Sequence, residues 1–249
     1  MRSGQELIVH PDHDRLAAAI AARLITKLLD VQGSGRGAHV CLTGGRGGTS
    51  ALAATLASPA CGAIDWSLID FWWSDERFLP LDDAERNETG ARAALLDHVP
   101  VDPTRVHAMP RLGEMFGDNV DAAAAGYARE LAEAALAGDL TPVFDVCMLG
   151  IGEDAHVASL FPHRSEAAQP EAVVAVLNSP KPPPTRTTFT MASILRSDEV
   201  WLIASGSGKA EAIRLALAGL PESDAPAGAA RGINRTLVLA DRDAAALVT

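Results

Sequence analysis

Short apolar runs at Ala38–Leu42, Ser67–Trp73, Phe144–Leu149, Val173–Leu177, Val200–Ala204 and Thr236–Leu239 are separated mostly by Ala-rich stretches. In Asp14–Leu29, Thr49–Leu56, Glu88–Leu96, Asn119–Leu136 and Lys209–Ala218, apolar residues return every three or four positions, the period of a helix with one buried face. Strands alternating with helices pair in parallel through crossover units. The pattern predicts an α/β fold: a three-layer, doubly wound, mostly parallel sheet with helices on both faces, Rossmann-like. Aromatic residues are only 4% of the chain against 48% hydrophobic, so Ala, Leu and Val must fill the space between layers. At 249 residues a core of this kind needs no disulfide or structural metal. No fixed-period repeat or Ser/Gly linker divides the chain, and it reads as one domain over residues 1–249, with Pro221–Gly232 a loop.

Charge narrows the partners. Thirty-two acids against 21 bases give −11, which repels a nucleic-acid backbone or an anionic bilayer over most of the surface. Two windows depart from this balance: between Asp30 and Asp65, and between Glu171 and Asp198, there is no acid, only Arg36 and Arg46 in the first and Lys181, Arg186 and Arg196 in the second. Cys41, Cys61 and Cys147 are odd in number and lack C-x-x-C spacing, which fits a reducing compartment. The longest helix-like apolar stretch is broken by Arg23 and Lys27, and Met1–His10 lacks an export pattern, so a cytoplasmic location without membrane insertion is expected.

In an open parallel sheet ligands bind beyond the carboxyl ends of the strands, where helix N-termini present unpaired N–H groups. After Ala38–Leu42 comes Thr43-Gly44-Gly45-Arg46-Gly47-Gly48, whose glycines let backbone amides approach an anion. It lacks the Gly-Lys-Ser/Thr of a Walker loop and half fits a dinucleotide fingerprint, with Ser50 at the third glycine; a tight turn without ligand is the plain alternative. After Ser67–Trp73 comes Ser74-Asp75-Glu76-Arg77, then Asp82, Asp83 and Asn87: a guanidinium for phosphate, or a solvated loop of internal ion pairs, with metal binding a further option.

After Phe144–Leu149 comes Gly150-Ile151-Gly152-Glu153-Asp154-Ala155-His156. His156 can serve as a general base or be structural, and Asp154 can orient it or cap a following helix. The other histidines form no convincing metal set; His10 and His13 read as N-terminal loop. Prolines around Lys181 and Arg186 point to a stiff extended loop, or to a surface polyproline turn of SH3-ligand type. Ser205-Gly206-Ser207-Gly208-Lys209 opens a helix with a cation attached. Five strand ends are thus expected to face one crevice.

Thr43-Gly44-Gly45, Trp73–Arg77 with Pro80, Asp83 and Asn87, Asp145 with Leu149–Pro162, Ser179–Arg186 and Gly206–Ala210 together resemble the 6-phosphogluconolactonase family. The resemblance implies hydrolysis of 6-phospho-D-glucono-1,5-lactone without metal or organic cofactor, on a fold shared with glucosamine-6-phosphate deaminases. It makes His156 catalytic, with Asp154 beside it, and assigns Arg77 and Lys209 to the substrate phosphate. Gly44, Gly45, Asn87 and Arg186 then line the pocket, and Lys181 joins the substrate- or phosphate-binding group. The implied partner is a small sugar phosphate, with no nucleic acid or membrane, bound by a monomer or weak homo-oligomer. Ala155 stands where many relatives have Gly, which argues against a positive φ there. Val157 replaces a common Thr, Arg46-Gly47-Gly48 a frequent Ser-Thr-Pro, and Arg86 a usual Ser. Competing readings are a glucosamine-6-phosphate deaminase, a non-catalytic sugar-phosphate sensor and a nicotinamide oxidoreductase.

Overall fold

The computed structural model describes residues 4–248. Its strands are β1 (Gln5–His10), β2 (Ala38–Leu42), β3 (Ile69–Trp73), β4 (Asp75–Arg77), β5 (Phe144–Gly150), β6 (Val173–Val176), β7 (Arg186–Phe189), β8 (Ser197–Ala204) and β9 (Arg235–Asp241). The α-helices are α1 (His13–Gly33), α2 (Gly45–Ala57), α3 (Asn87–Ala94), α4 (Val120–Ala134), α5 (Met191–Ile194), α6 (Ala210–Leu217) and α7 (Pro226–Ala229). A six-stranded, all-parallel sheet has the order β1-β9-β8-β5-β2-β3, and β4-β7-β6 form a separate three-stranded antiparallel sheet.

Local chemistry accounts for the long elements. Asp12 caps α1 by accepting from the Arg15 amide at 2.8 Å, and Leu16, Ile20, Leu24, Leu28 and Val31 bury one stripe of it. Asn119 caps α4 through the Ala122 amide at 3.0 Å. β5 lies between β2 and β8 and is buried along nearly its whole length, as a continuous apolar strand in a parallel sheet must be. The crossovers through α1 and α2 run toward the β3 edge, and those through α4 and α6 run toward the β1 edge. Right-handed connections therefore put the two pairs on opposite faces. The connections out of β2 and β5 diverge, which makes the gap between these neighbours the topological switch point, where a doubly wound sheet opens a ligand crevice.

Several expectations are corrected. The run at 173–177 does not join the parallel sheet: β6 pairs antiparallel with β7. His10 ends β1 and His13 opens α1, so neither is loop. Residues Ser67 and Leu68 belong to a 3-10 turn before β3, and α7 lies inside the stretch read as loop. No helix follows β5; residues 151–160 form turns fastened by the bridges Ile151–Val157 and Val157–Leu160, so Asp154 caps nothing helical. Cys41, Cys61 and Cys147 are free and buried. Among the described residues no helix is long and apolar enough to cross a membrane.

Candidate active site

At the switch point the strand ends part and the Gly150 amide donates to Thr43 Oγ1 at 3.2 Å, tying the two loops at the floor of the gap. Gly44 admits no side chain, because a Cβ there would lie 1.7 Å from Asn87 Oδ1. Gly45 has φ 73°, a left-handed conformation that glycine takes without strain, and it starts α2 with its first amides free of any side-chain cap. A Cβ on Gly48 would meet the Thr43 carbonyl oxygen at 2.4 Å, so only glycine lets α2 pack this closely on the end of β2.

β4 and the start of α3 are held by Glu76. Its buried carboxylate accepts from the amides of Arg77 at 2.8 Å, Asn87 at 2.7 Å and Glu88 at 2.9 Å. Asn87 Nδ2 then donates to the Asp75 carbonyl at 2.8 Å. Arg77 Nη1 donates to the Glu85 carbonyl, while its Nε is buried and has no partner among the described residues. Arg86 is also buried and turned inward, donating to Glu88 at 3.2 Å and to the Met109 carbonyl at 2.9 Å. It braces the loop from within and adds nothing to the cleft.

The loop after β5 presents the histidine. The Gly152 amide donates to the His156 carbonyl and the Ala155 amide to the Gly152 carbonyl, a turn tight enough to hold Ala155 at φ 64°. The expectation of a negative φ at this alanine is thus overturned: the turn imposes the left-handed conformation whether or not glycine is present. His156 Nδ1 lies 2.5 Å from Asp154 Oδ1, with the imidazole 12% and the carboxylate 39% exposed. Burial pushes the Asp154 carboxyl up, but the His156 hydrogen bond and the nearby Lys181 outweigh it and hold the group well below the usual carboxylate range. An ionised Asp154 can only accept, so Nδ1 carries a proton, and in the neutral ring Nε2 is the nitrogen with the lone pair. The ring rests on Phe161, centroids 4.5 Å apart.

Cations close the site. Lys181 Nζ is 3.7 Å from Asp154 Oδ1. Arg186 is buried and spends four of its five N–H groups on the carbonyls of Lys181, Pro182 and Pro183 and on Ser159 Oγ. Its guanidinium thereby shapes the Pro-rich loop that carries Lys181. Lys209 enters from the turn before α6; burial first, then Lys181, lowers its pKa.

These parts enclose a cleft of about 280 Å³ lined by Thr43, Gly44, Gly45, Asp75, Arg77, Asn87, Gly150, Ile151, Gly152, His156, Ala158, Lys181, Arg186 and Lys209. His156 and every residue expected to bind the substrate line it, while Asp154 stands behind the imidazole. Asp75 is the charged lining residue to which the sequence assigned no role. It is buried, accepts from Ser159 Oγ at 2.8 Å and lies 3.9 Å from Arg186; its place in the charged triplet directly behind β3 was the available signal. Asp145 lies elsewhere, with its carboxylate on Arg36 and the His39 amide at the opposite end of β5. Asp83 only caps its own turn through the Glu85 amide, and no metal-binding group of acids, histidines and cysteines exists among the described residues. A larger groove of about 470 Å³ lies between α1 and β8–β9; its Lys27 and Arg235 are paired with acids, and it holds neither the histidine nor the glycine loops.

A crevice at the switch point with a carboxylate-held histidine facing several cations defines an enzyme for a small anionic substrate. Residues 11–239 match the family described as glucosamine-6-phosphate isomerases/6-phosphogluconolactonase, and the chain belongs to that family. It is 52% identical over 248 residues to the 6-phosphogluconolactonase of Streptomyces coelicolor, covering 98% of this chain and 95% of that one. It is 44% identical to that of Mycobacterium tuberculosis, covering 96% of each. Among solved structures, 6-phosphogluconolactonase from Trypanosoma brucei superposes with a TM-score of 0.79 at 25% identity over 100% of both chains.

Proposed function

We propose that the protein hydrolyses 6-phospho-D-glucono-1,5-lactone to 6-phospho-D-gluconate, the lactone-opening step of the oxidative pentose phosphate pathway, with His156 as general base. The observation that carries this reading is the Asp154–His156 pair, which in the neutral ring turns the lone pair of Nε2 away from the carboxylate, set in a cleft with Arg77, Lys181 and Lys209. A lactone is an activated ester, and the sequence has no G-x-S-x-G elbow to supply a nucleophilic serine, so water attacks directly. Nε2 takes a proton from water as the oxygen bonds to C1, and the carbonyl π pair moves onto its oxygen. The tetrahedral adduct then collapses, the C1–O5 bond breaks, and the imidazolium returns the proton to O5. Ionised Asp154 steadies the imidazolium between these transfers, and Lys181 beside it adds positive charge near the developing oxyanion. Arg77, with its unpartnered Nε, and Lys209 take the phosphate.

His156→Ala is expected to lower kcat by about 10²–10⁴-fold in a coupled assay corrected for spontaneous lactone opening. Wild-type kcat/KM in that variant would refute the assignment. Ammonia release from glucosamine 6-phosphate without lactonase activity, product binding without turnover, or calorimetric binding of a nicotinamide dinucleotide would each point to a different function.

A further inference from the structure

Outside the cleft, four polar side chains from four elements make one chain of hydrogen bonds. His13, the first residue of α1, has Nε2 2.9 Å from Ser50 Oγ on α2 and Nδ1 3.0 Å from Ser205 Oγ, just past β8. Ser205 Oγ donates to Asp241 Oδ2 at the end of β9. Asp241 also accepts from the amides of Gly206, at 3.0 Å on each oxygen, and Ala244, at 2.9 Å.

The direction of every bond follows from counting protons. Ser205 has one, and it goes to Asp241, so Ser205 Oγ must accept from His13 Nδ1–H. In the neutral ring Nε2 is then the acceptor, and Ser50 supplies its own proton. Ser50→His13→Ser205→Asp241 is thus saturated in one sense only, ending on a carboxylate whose pKa hydrogen bonding lowers against the upward pull of burial.

The chain spans the two loops that bring backbone amides and a cation to the substrate. Ser50 sits one turn into the helix opened by Gly44-Gly45, and Ser205 precedes Gly206, whose φ of 91° turns the backbone toward Lys209. Between them lies a recess of about 290 Å³ lined by Gly44–Gly48, Ser205 and Lys209, sharing Gly44, Gly45, Gly150, Ile151 and Lys209 with the cleft. Parallel strands β2 and β8 are not neighbours, since β5 separates them. Nothing in the sheet ladder therefore sets the spacing of these loops directly, whereas the imidazole does.

We propose that His13 is a positioning residue for phosphate recognition: it spaces the Gly44–Gly48 loop from the Ser205–Lys209 loop without touching the substrate. This rests on the lactonase reading above, and it separates phosphate binding from the chemistry at His156. The test compares kcat and KM for 6-phospho-D-glucono-1,5-lactone and for unphosphorylated D-glucono-1,5-lactone in wild type, His13→Ala and Ser50→Ala. The expected result for His13→Ala is a KM on the phosphorylated substrate that rises more than kcat falls. The preference in kcat/KM for the phosphorylated lactone should drop about tenfold, the weight of one net hydrogen bond. Ser50→Ala, which removes one arm at little risk to folding, should move the preference the same way by less. An unchanged preference in Ser50→Ala, or equal losses on both substrates in His13→Ala, would overturn the proposal while leaving the function intact. A wild type that does not hydrolyse the phosphorylated lactone would defeat the functional reading, and this one with it.

Discussion

The imidazole of His156 has its place because one neighbour has no side chain. A Cβ on Gly152 would lie 1.9 Å from Nδ1 and 2.7 Å from Asp154 Oδ1, inside the pair that fixes the tautomer. Gly152 is not in a left-handed conformation, so alanine there meets no backbone strain and its whole effect falls on the ring. Gly152→Ala is therefore expected to displace the imidazole by about 1 Å and lower kcat by roughly 10²-fold. Its urea midpoint should stay near that of wild type. Steady-state kinetics beside urea unfolding check this, and near-normal kcat would show that the ring does not depend on that gap. Ala155 marks the limit of residue-by-residue inference. Its methyl is fully buried at φ 64°, a conformation costing about 1–2 kcal/mol outside glycine, and the turn bonds from Ala155 N to Gly152 O and from Ala227 N to Ala155 O impose it. One of those partners is 72 positions away in the chain, beyond any local pattern.

At the scale of elements, the edge strand β3 is closed by residues 106–107. The His107 amide donates to the Phe71 carbonyl at 2.9 Å, and the imidazole stacks on Trp72 with centroids 3.8 Å apart. Its nitrogens face Glu130 at 2.7 Å and Asp70 at 3.0 Å. Burial lowers the His107 pKa, but the hydrogen bonds to Asp70 and Glu130 outweigh it, and the net shift is upward. A raised histidine contributes stability fully below the unfolded value of about 6.5, and that contribution is lost as pH rises through the folded value. His10 and His39 are lowered, chiefly by burial, so their effects fall below about 6.5; burial raises the Glu76 carboxyl to about 7, so its contribution is also lost as pH rises to that value, and His107 is read above it. Above about pH 7 wild type should lose stability, and His107→Gln should flatten that slope in urea unfolding; an equal slope in both would remove His107 as its source. The elements that could be read in advance were those with a long periodic or unbroken apolar pattern: periodic α1 and α4, and the continuous run of β5. β4 could not: Asp-Glu-Arg has no strand pattern, and it becomes a strand by pairing with β7, where Arg77 meets Arg186 in register. β6 was legible as a strand but not as a member of the second sheet, because a short apolar run does not encode its partner.

Across the whole molecule, a net charge of −11 coexists with a cleft whose lining includes Arg77, Lys181, Arg186 and Lys209. The acid-free windows of the sequence anticipated this: one contains Thr43–Gly48 and the other Lys181 and Arg186, and the sheet brings both to the switch point. The sequence could not reveal how those cations are divided. Arg186 is largely consumed by its own loop, Arg86 is buried as a brace, and Lys181 stands beside Asp154, all consequences of tertiary contacts. Scale decides how the acidic surface and the cationic cleft compete. A dianionic substrate entering the cleft is within a Debye length, about 10 Å at 0.1 M salt, of these cations, while acids farther than that from the cleft are screened first. At low salt the surface repels and the cleft attracts; as salt rises toward 0.2 M, only the near attraction remains to be weakened. KM for the phosphorylated lactone is expected to rise severalfold between 0.1 and 0.5 M NaCl, a change that neutral D-glucono-1,5-lactone should not share. Lys209→Gln should raise KM about tenfold at 0.1 M, the weight of one charge-assisted hydrogen bond, and make the salt dependence shallower. Initial rates over that range for both lactones decide the matter: equal salt dependence in Lys209→Gln and wild type would mean that this lysine does not face the phosphate.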